Sequence, residues 1–389
     1  MNVPVKILSV DDEAALEGLL TQYFRRQIRK GEYEFYFARN GVEALKVLQE
    51  NPDIEIVLSD INMPQMDGLT LLSRLNERQN PAMKCIMVSA YDDIGNIREA
   101  MNQGAFDFAT KPIDLQDLNC TIEKAIKQVD FVHSTMREHH QLEALKIDLE
   151  VANGIQQSIL PRQFPPFPEH VSKIDIAASM KPAKNIGGDF YDFFRFDDDT
   201  ICFTIADVCG KGIPAALFMA ICRTVIHAAG MKELSPAECL THANDMLAAE
   251  SADGMFVTVF YGTYNVNTGL VTYCNAGHNL PFVVHPDGRT EELPLSGNIM
   301  VGSISDIRYC QDTLQLASGD MLFLFTDGVT EAMNEREEMF GKSRLQAVLA
   351  EKCTSACQEV IATVLDEVNA FTAGANQSDD ITMLALRRL

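Results

Sequence analysis

The chain has 389 residues, 47% of them hydrophobic, enough to bury the cores of roughly two or three ordinary domains. With 55 acidic against 32 basic residues its formal charge is −23, a field that repels DNA, RNA and anionic lipid and excludes nucleic acid as a partner. The opening MNVPVKILSVDDE lacks the basic and apolar regions of a targeting signal, no uncharged apolar stretch is read as long enough to span a bilayer, and the ten cysteines form no CxxC pair; these features predict a cytoplasmic chain with no membrane partner and buried, reduced thiols.

From the start to about residue 125, apolar runs alternate with helical patterns: VKILSV, 14–28, YEFYFA, 42–49, IEIVLSD, 68–76, KCIMVSA, 94–103, FDFATKP and 115–128. Five strand–helix units predict an α/β, doubly wound, five-stranded parallel sheet that takes ligands at the carboxyl ends of its strands. Asp11 and Asp12 follow the first strand, Asp60 the third, Ser89 the fourth and Lys111 the fifth. Three carboxylates beside one lysine suit Mg²⁺, and the ion and the lysine together would neutralise a phosphoryl group on a carboxylate oxygen.

VDDE, SDINMPQMDG, VSA and TKP resemble the response-regulator receiver family over residues 4–125. The resemblance implies Asp60 as phosphoacceptor, Asp11 and Asp12 as acids for Mg²⁺, and Asn62 as a carbonyl ligand. It also implies Ser89 and Lys111 as phosphate sensors, Phe108 as the switch aromatic, a cis Lys111–Pro112 bond, and a histidine kinase or phosphotransfer protein as partner.

Residues 117–160 then carry apolar side chains at steps of three and four: Leu118, Ile122, Ile126, Val129, and later Leu142, Leu145, Leu149, Ala152 and Ile159. Such a stripe predicts a helical linker, assigned to 126–160, that pairs with its copy in a homodimer. LPRQFPPFPEH, with four prolines, ends it and marks a domain boundary, so the receiver is assigned to 1–125 and the second domain to 161–389. Strands follow at 174–180, 201–207, 256–264, 270–275, 281–285, 321–326 and 381–386, with helices near 213–229, 236–249, 342–350 and 356–372. Hairpin-like spacing favours antiparallel sheets, hence an α+β fold.

ADVCGKGIPAAL could hold a phosphate or a metal, but it lacks the glycine spacing and the final Ser or Thr of a P-loop. Asp207 is then a candidate metal ligand if other acids converge on it, and Asp189, Asp327, Asp379 and Asp380 also fall at strand ends. Five carboxylates in one pocket would repel one another unless divalent cations balanced them, and a two-metal site suits in-line phosphoryl displacement.

GGDFYD, ADVCGKGIPAAL, FVTVFYGTY, NAGHN, FTDGVTEA and DDITMLALR resemble the SpoIIE/RsbU-type branch of the PPM serine/threonine phosphatases, over 174–389. That resemblance implies an α-β-β-α sandwich with two Mn²⁺ or Mg²⁺ ions. Asp207 would bridge them, the Val208 carbonyl would add a ligand, Asp327 and Asp379 would complete one ion, and Asp189 would serve the other, with Asp380 in support. The resemblance implies Asp207, Asp327 and Asp379 as the catalytic set, acting without a covalent intermediate, and leaves Gly-Lys-Gly after Asp207 to turn the chain. The arginine that distant PPM members use for substrate phosphate has no counterpart before GGDF; Lys184 is a candidate replacement, while His278 reads as a turn residue.

The family's usual substrate is a phosphorylated anti-sigma-factor antagonist, which implies a partner-switching pathway. The alternative is an RssB-type adaptor that binds a sigma factor, but enteric adaptors have lost metal acids that are all present here. A transcription factor would need a basic recognition helix, and nothing after residue 160 supplies one.

Overall fold

A computed structural model describes residues 4–90, 94–164, 166–232, 235–250 and 254–389. The chain forms two compact units, Met1–Leu145 and Lys146–Leu389.

In the first unit, strands β1 (Val5–Val10), β2 (Tyr33–Ala38), β3 (Ile56–Asp60), β4 (Lys84–Ala90) and β5 (Asp107–Lys111) make a parallel sheet in the order β2-β1-β3-β4-β5. Its helices are α1 (Ala14–Tyr23), α2 (Arg25–Lys30), α3 (Gly41–Glu50), α4 (Gly68–Glu77), α5 (Ile94–Asn102) and the first part of α6 (Leu115–Ile159). Alternate side chains enter two cores, Leu8, Val57 and Met87 on one face and Ile7, Ile56, Leu58 and Ile86 on the other. Burial on both faces is why these strands read as nearly unbroken apolar runs. The helix expected over 14–28 breaks at Phe24, whose ring is buried 5.3 Å from that of Phe35.

The stripe along α6 is two surfaces rather than one seam. Leu118, Ile122 and Val129 are buried in the core of the first unit, whereas Leu142 and Leu145 are 66% and 50% exposed. A helical period is the same whether it faces a core or water, so spacing alone merged them.

The second unit holds β6 (Ile174–Lys181), β7 (Phe190–Arg195), β8 (Thr200–Val208), α7 (Ile213–Gly230), α8 (Pro236–Glu250), β9 (Val257–Asn265), β10 (Leu270–Ala276) and β11 (Phe282–Val284). It continues with β12 (Thr290–Glu292), β13 (Asp312–Gln315), β14 (Met321–Phe325), α9 (Asp327–Thr330), α10 (Gly341–Glu351), α11 (Cys357–Phe371) and β15 (Ile381–Arg388). Two antiparallel sheets result, β13-β10-β9-β8-β7 and β12-β11-β14-β15-β6. Leu322 and Leu324 of β14 enter the core with Phe203 and Ile205 of β8, while Phe323 and Phe325 face Leu345 of α10 and Val360 and Val364 of α11. With α7 and α8 packed on the first sheet, this is the expected α-β-β-α sandwich. The expected strands omitted β7, β12 and β13; the last two are short edges, mostly exposed, with no apolar period to find.

One helix is long and apolar, though it carries the charged Arg223. By length and composition α7 could cross a membrane. Its Phe218, Met219, Cys222 and Ile226 are instead buried in the core of the second unit.

Candidate active site

Strand register builds the acidic site. Phe190 pairs with Ala206, so Asp189, just before β7, comes opposite Asp207 near the end of β8. In the other sheet Phe325 pairs with Met383 and the Thr326 amide donates to the Thr382 carbonyl at 3.0 Å, which sets Asp327 beside the start of β15 and hence near Asp379 and Asp380. Side chains tie the sheet ends together: Thr326 Oγ1 donates to Asp189 Oδ2 at 2.7 Å, and the Gly188 amide donates to Asp380 Oδ2 at 2.6 Å.

These carboxyls are short of positive charge. Burial, then repulsion from Asp207 and Asp380, raises Asp189 well above the usual carboxylate range, against the bond from Thr326. Burial and then Asp327 push Asp207 up to about 7, with Asp379 and Asp380 adding to the rise and a bond with Asp189 opposing it. Asp327 is raised by burial and by Asp379. Oxygen donors that repel one another in this way fit divalent cations, which would supply the missing charge. Among the described residues no three of these acids have ligand atoms mutually within 4.8 Å, as the receiver acids do.

The remaining sequence candidates separate by contact. Val208 is buried at the end of β8, its carbonyl 3.0 Å from where a Cβ on Gly188 would lie. Both oxygens of Asp380 accept backbone amides, from Ala183 at 2.8 Å and from Gly188 and Asp189 at 2.6 and 3.4 Å, so it braces the GGD loop. The second acid of GGDFYD, Asp192, goes to Arg223 at 3.1 Å and His227 at 2.6 Å. Burial lowers His278 to about 4, keeping it neutral; its Nδ1 lies 3.0 Å from Thr258 Oγ1, and its backbone is bracketed by Asn275, as a turn residue requires. Lys184 is exposed and pairs with none of the five acids among the described residues.

Three participants escaped the sequence reading. Thr326 was legible only as the neighbour of Asp327 in FTDG. Lys211, read as part of a turn, pairs with Asp379 Oδ2 at 2.7 Å and donates to the Ser378 carbonyl at 2.8 Å. Gln156, near the end of α6, is buried; its Nε2 donates to the Gly187 carbonyl at 2.6 Å and its Oε1 accepts the Gly187 amide at 3.1 Å. A Cβ at Gly187 would collide with the Asp380 carboxylate, so only glycine fits between Gln156 and Asp380. Gln156→Ala leaves both Gly187 groups unpaired in a buried place, at a cost of about 1–3 kcal/mol. It is expected to lower Tm and, by loosening the loop before Asp189, to weaken Mn²⁺ binding in calorimetry. Unchanged melting and unchanged affinity would remove Gln156 from the site.

The receiver acids are closer together. Ligand atoms of Asp11, Asp12 and Asp60 lie within 4.8 Å of one another, and Lys111 Nζ is 2.9 Å from Asp11 Oδ2, 2.8 Å from Asp60 Oδ2 and 3.2 Å from Glu13 Oε1. Burial raises Asp60, against the pull of Lys111. Burial would lower Lys111, but its bonds to Asp60 and Asp11 outweigh that and hold it above its ordinary value. Ser89 is buried near the end of β4, Phe108 is 39% exposed, the Asn62 amide reaches Asp60 Oδ1 at 3.4 Å, and Lys111–Pro112 is cis. Three oxygen donors with one ammonium have the donor chemistry that Mg²⁺ and a phosphoryl group require.

The response regulator receiver domain model matches residues 7–123, and the model for stage II sporulation protein E (SpoIIE) matches 197–389. Phosphoserine phosphatase RsbU of Bacillus subtilis is 33% identical over 257 residues, 66% of this chain and 74% of RsbU. The chain belongs to the SpoIIE/RsbU-type phosphatase family. A second relative, protein IcfG of Synechocystis, is 31% identical over 270 residues, which cover 62% of the chain but only 42% of IcfG. The SiaA-PP2C domain of Pseudomonas aeruginosa aligns with a TM-score of 0.56 and 23% identity, over 64% of this chain and 98% of that domain, a likeness of fold. This family member thus joins a receiver domain to a phosphatase domain of the metal-dependent PPM type.

Proposed function

We propose that the chain is a response regulator whose output is hydrolysis of phosphoserine or phosphothreonine in a protein, controlled by phosphorylation of Asp60. The observation that carries this reading is the convergence of Asp189, Asp207, Asp327 and Asp379 from four chain segments at one end of two sheets, with Asp189, Asp207 and Asp327 all raised by burial and then by neighbouring acids. Asp207 would serve both of two Mn²⁺ or Mg²⁺ ions, the Val208 carbonyl would add a ligand, Asp327 and Asp379 would hold one ion and Asp189 the other, while Asp380 keeps the loop in place. Bound ions would supply the Lewis acidity and activated water for in-line displacement. The chain's own groups orient the site: Thr326 holds Asp189, and Gln156 and Asp380 hold the backbone leading to it.

The likeness to the phosphoserine phosphatase RsbU supports a phosphorylated anti-sigma-factor antagonist as substrate in a cytoplasmic partner-switching pathway, and the receiver match supports a histidine kinase or phosphotransfer protein upstream, with Mg²⁺ at Asp11, Asp12, Asp60 and Asn62. The exposed Leu142 and Leu145 support pairing of α6 with its copy in a homodimer. Intact metal acids favour the enzyme over a sigma-binding adaptor.

The test is phosphate release from a phosphoserine antagonist protein by the full chain in Mn²⁺, with and without excess chelator. Release that chelator stops is the expected result. Release indifferent to chelator, or none in Mn²⁺ with or without a phosphodonor, would overturn the reading.

A further inference from the structure

We propose that Lys211 binds the phosphate of the substrate, a phosphoserine or phosphothreonine monoester dianion. The proposal rests on the phosphatase reading and deepens it by assigning the group that the missing arginine leaves open.

A dianion entering this site meets carboxylates from four segments, so a fixed cation beside them would favour its binding and set its orientation. Among the described residues, Lys211 is the one Lys or Arg in an ion pair with any of Asp189, Asp207, Asp327, Asp379 and Asp380. It sits on the connection between β8 and α7, its Nζ 2.7 Å from Asp379 Oδ2, yet its side chain is 50% exposed. The ammonium is held by Asp379 and the Ser378 carbonyl, while half of the side chain stays open to solvent, where an incoming ligand would arrive. A flexible four-carbon stem lets it keep contact with the acid edge while turning donors outward.

The backbone is shaped to hold it there. Gly210 and Gly212 flank Lys211 with φ of 92° and 79°, a region that favours glycine, and a Cβ at either would meet nothing within 4 Å. The glycines are needed for chain direction, not for space, and that direction carries the lysine to Ser378 and Asp379. The competing role is a brace that only positions Asp379, and the two roles differ in what they leave intact.

The experiment compares wild type, Lys211→Ala and Lys211→Arg as full chains in saturating Mn²⁺. Three quantities are read: KM and kcat for a phosphoserine protein, the inhibition constant of inorganic phosphate, and Mn²⁺ affinity by calorimetry. Loss of one charged hydrogen-bonding group predicts KM and the phosphate inhibition constant rising about tenfold to a hundredfold in Lys211→Ala. The change in kcat should be smaller, Mn²⁺ affinity should stay within about threefold, and arginine should recover most of the loss. Phosphate inhibition unchanged in Lys211→Ala, or a loss seen as weakened Mn²⁺ binding with KM kept, would overturn the proposal and leave the brace. Absence of Mn²⁺-dependent hydrolysis in wild type would instead defeat the phosphatase reading itself.

Discussion

Replacing Asp207 by asparagine is expected to lower kcat/KM for a phosphoserine protein on the order of a thousandfold, about 4 kcal/mol of transition-state stabilisation, because the acid proposed to hold both ions would lose its charge. The same change should raise the stability of the metal-free protein. Burial and the neighbouring acids push Asp207 up to about 7, so its ionised form disfavours the folded state. An acid raised in the fold binds its proton more tightly there than when unfolded. Its penalty is therefore full above about pH 7 and relieved as pH falls from 7 toward the ordinary carboxylate range. Metal-free Asp207→Asn should melt higher than metal-free wild type at pH 8, with the difference shrinking by pH 5. Activity retained in Mn²⁺, or a variant that melts well below wild type at pH 8, would contradict the role given to Asp207.

The second large effect concerns the receiver. Wild type is expected to take one phosphoryl group from a small phosphodonor in Mg²⁺, and Asp60→Ala none, since Asp60 is the acid that both Lys111 and the acid pair at Asp11 and Asp12 surround. Phosphorylation should change the phosphatase rate in wild type and leave Asp60→Ala unresponsive. Moving a two-state equilibrium from mostly off to mostly on takes roughly 5.5 kcal/mol of differential stabilisation. The proposed carrier is α6 paired with its copy. Leu142→Asp with Leu145→Asp tests that route, because both side chains are exposed and their loss spares either core. The double variant should run at lower solution mass and lose the phospho-response. Labelling undiminished in Asp60→Ala would refute the phosphoacceptor assignment, and a double variant with wild-type mass and response would reduce α6 to a tether.

Local chemistry explains what could be read in advance. The parallel sheet was legible because strands buried on both faces are short apolar runs, and the reactive residues of the receiver sit at the ends of those runs. The acids of the second unit were legible for the same reason: Asp207 and Asp327 close apolar strands, and Asp379 and Asp380 open one. What α6 faces was not legible, since spacing by three and four residues is identical around a buried Ile122 and an exposed Leu142.

By itself, then, the sequence determined the two folds, the strand ends that carry acids, and which residue types could hold a cation there. Tertiary structure alone decided which acids touch which partners. Thr326 meets Asp189 across 137 positions, Asp380 meets the Ala183 amide across 197, and Gln156 meets Gly187 across 31. Lys211 reaches the Ser378 carbonyl across 167. Periodicity reports only the face a side chain shares with its near neighbours along one element. Contacts made between the ends of two sheets depend on register and on how the sheets pack, which no local period encodes. That is why Asp380 could be named as an acid of the site but not as the group that grips its loop, and why Lys211 looked like a turn until Asp379 was beside it.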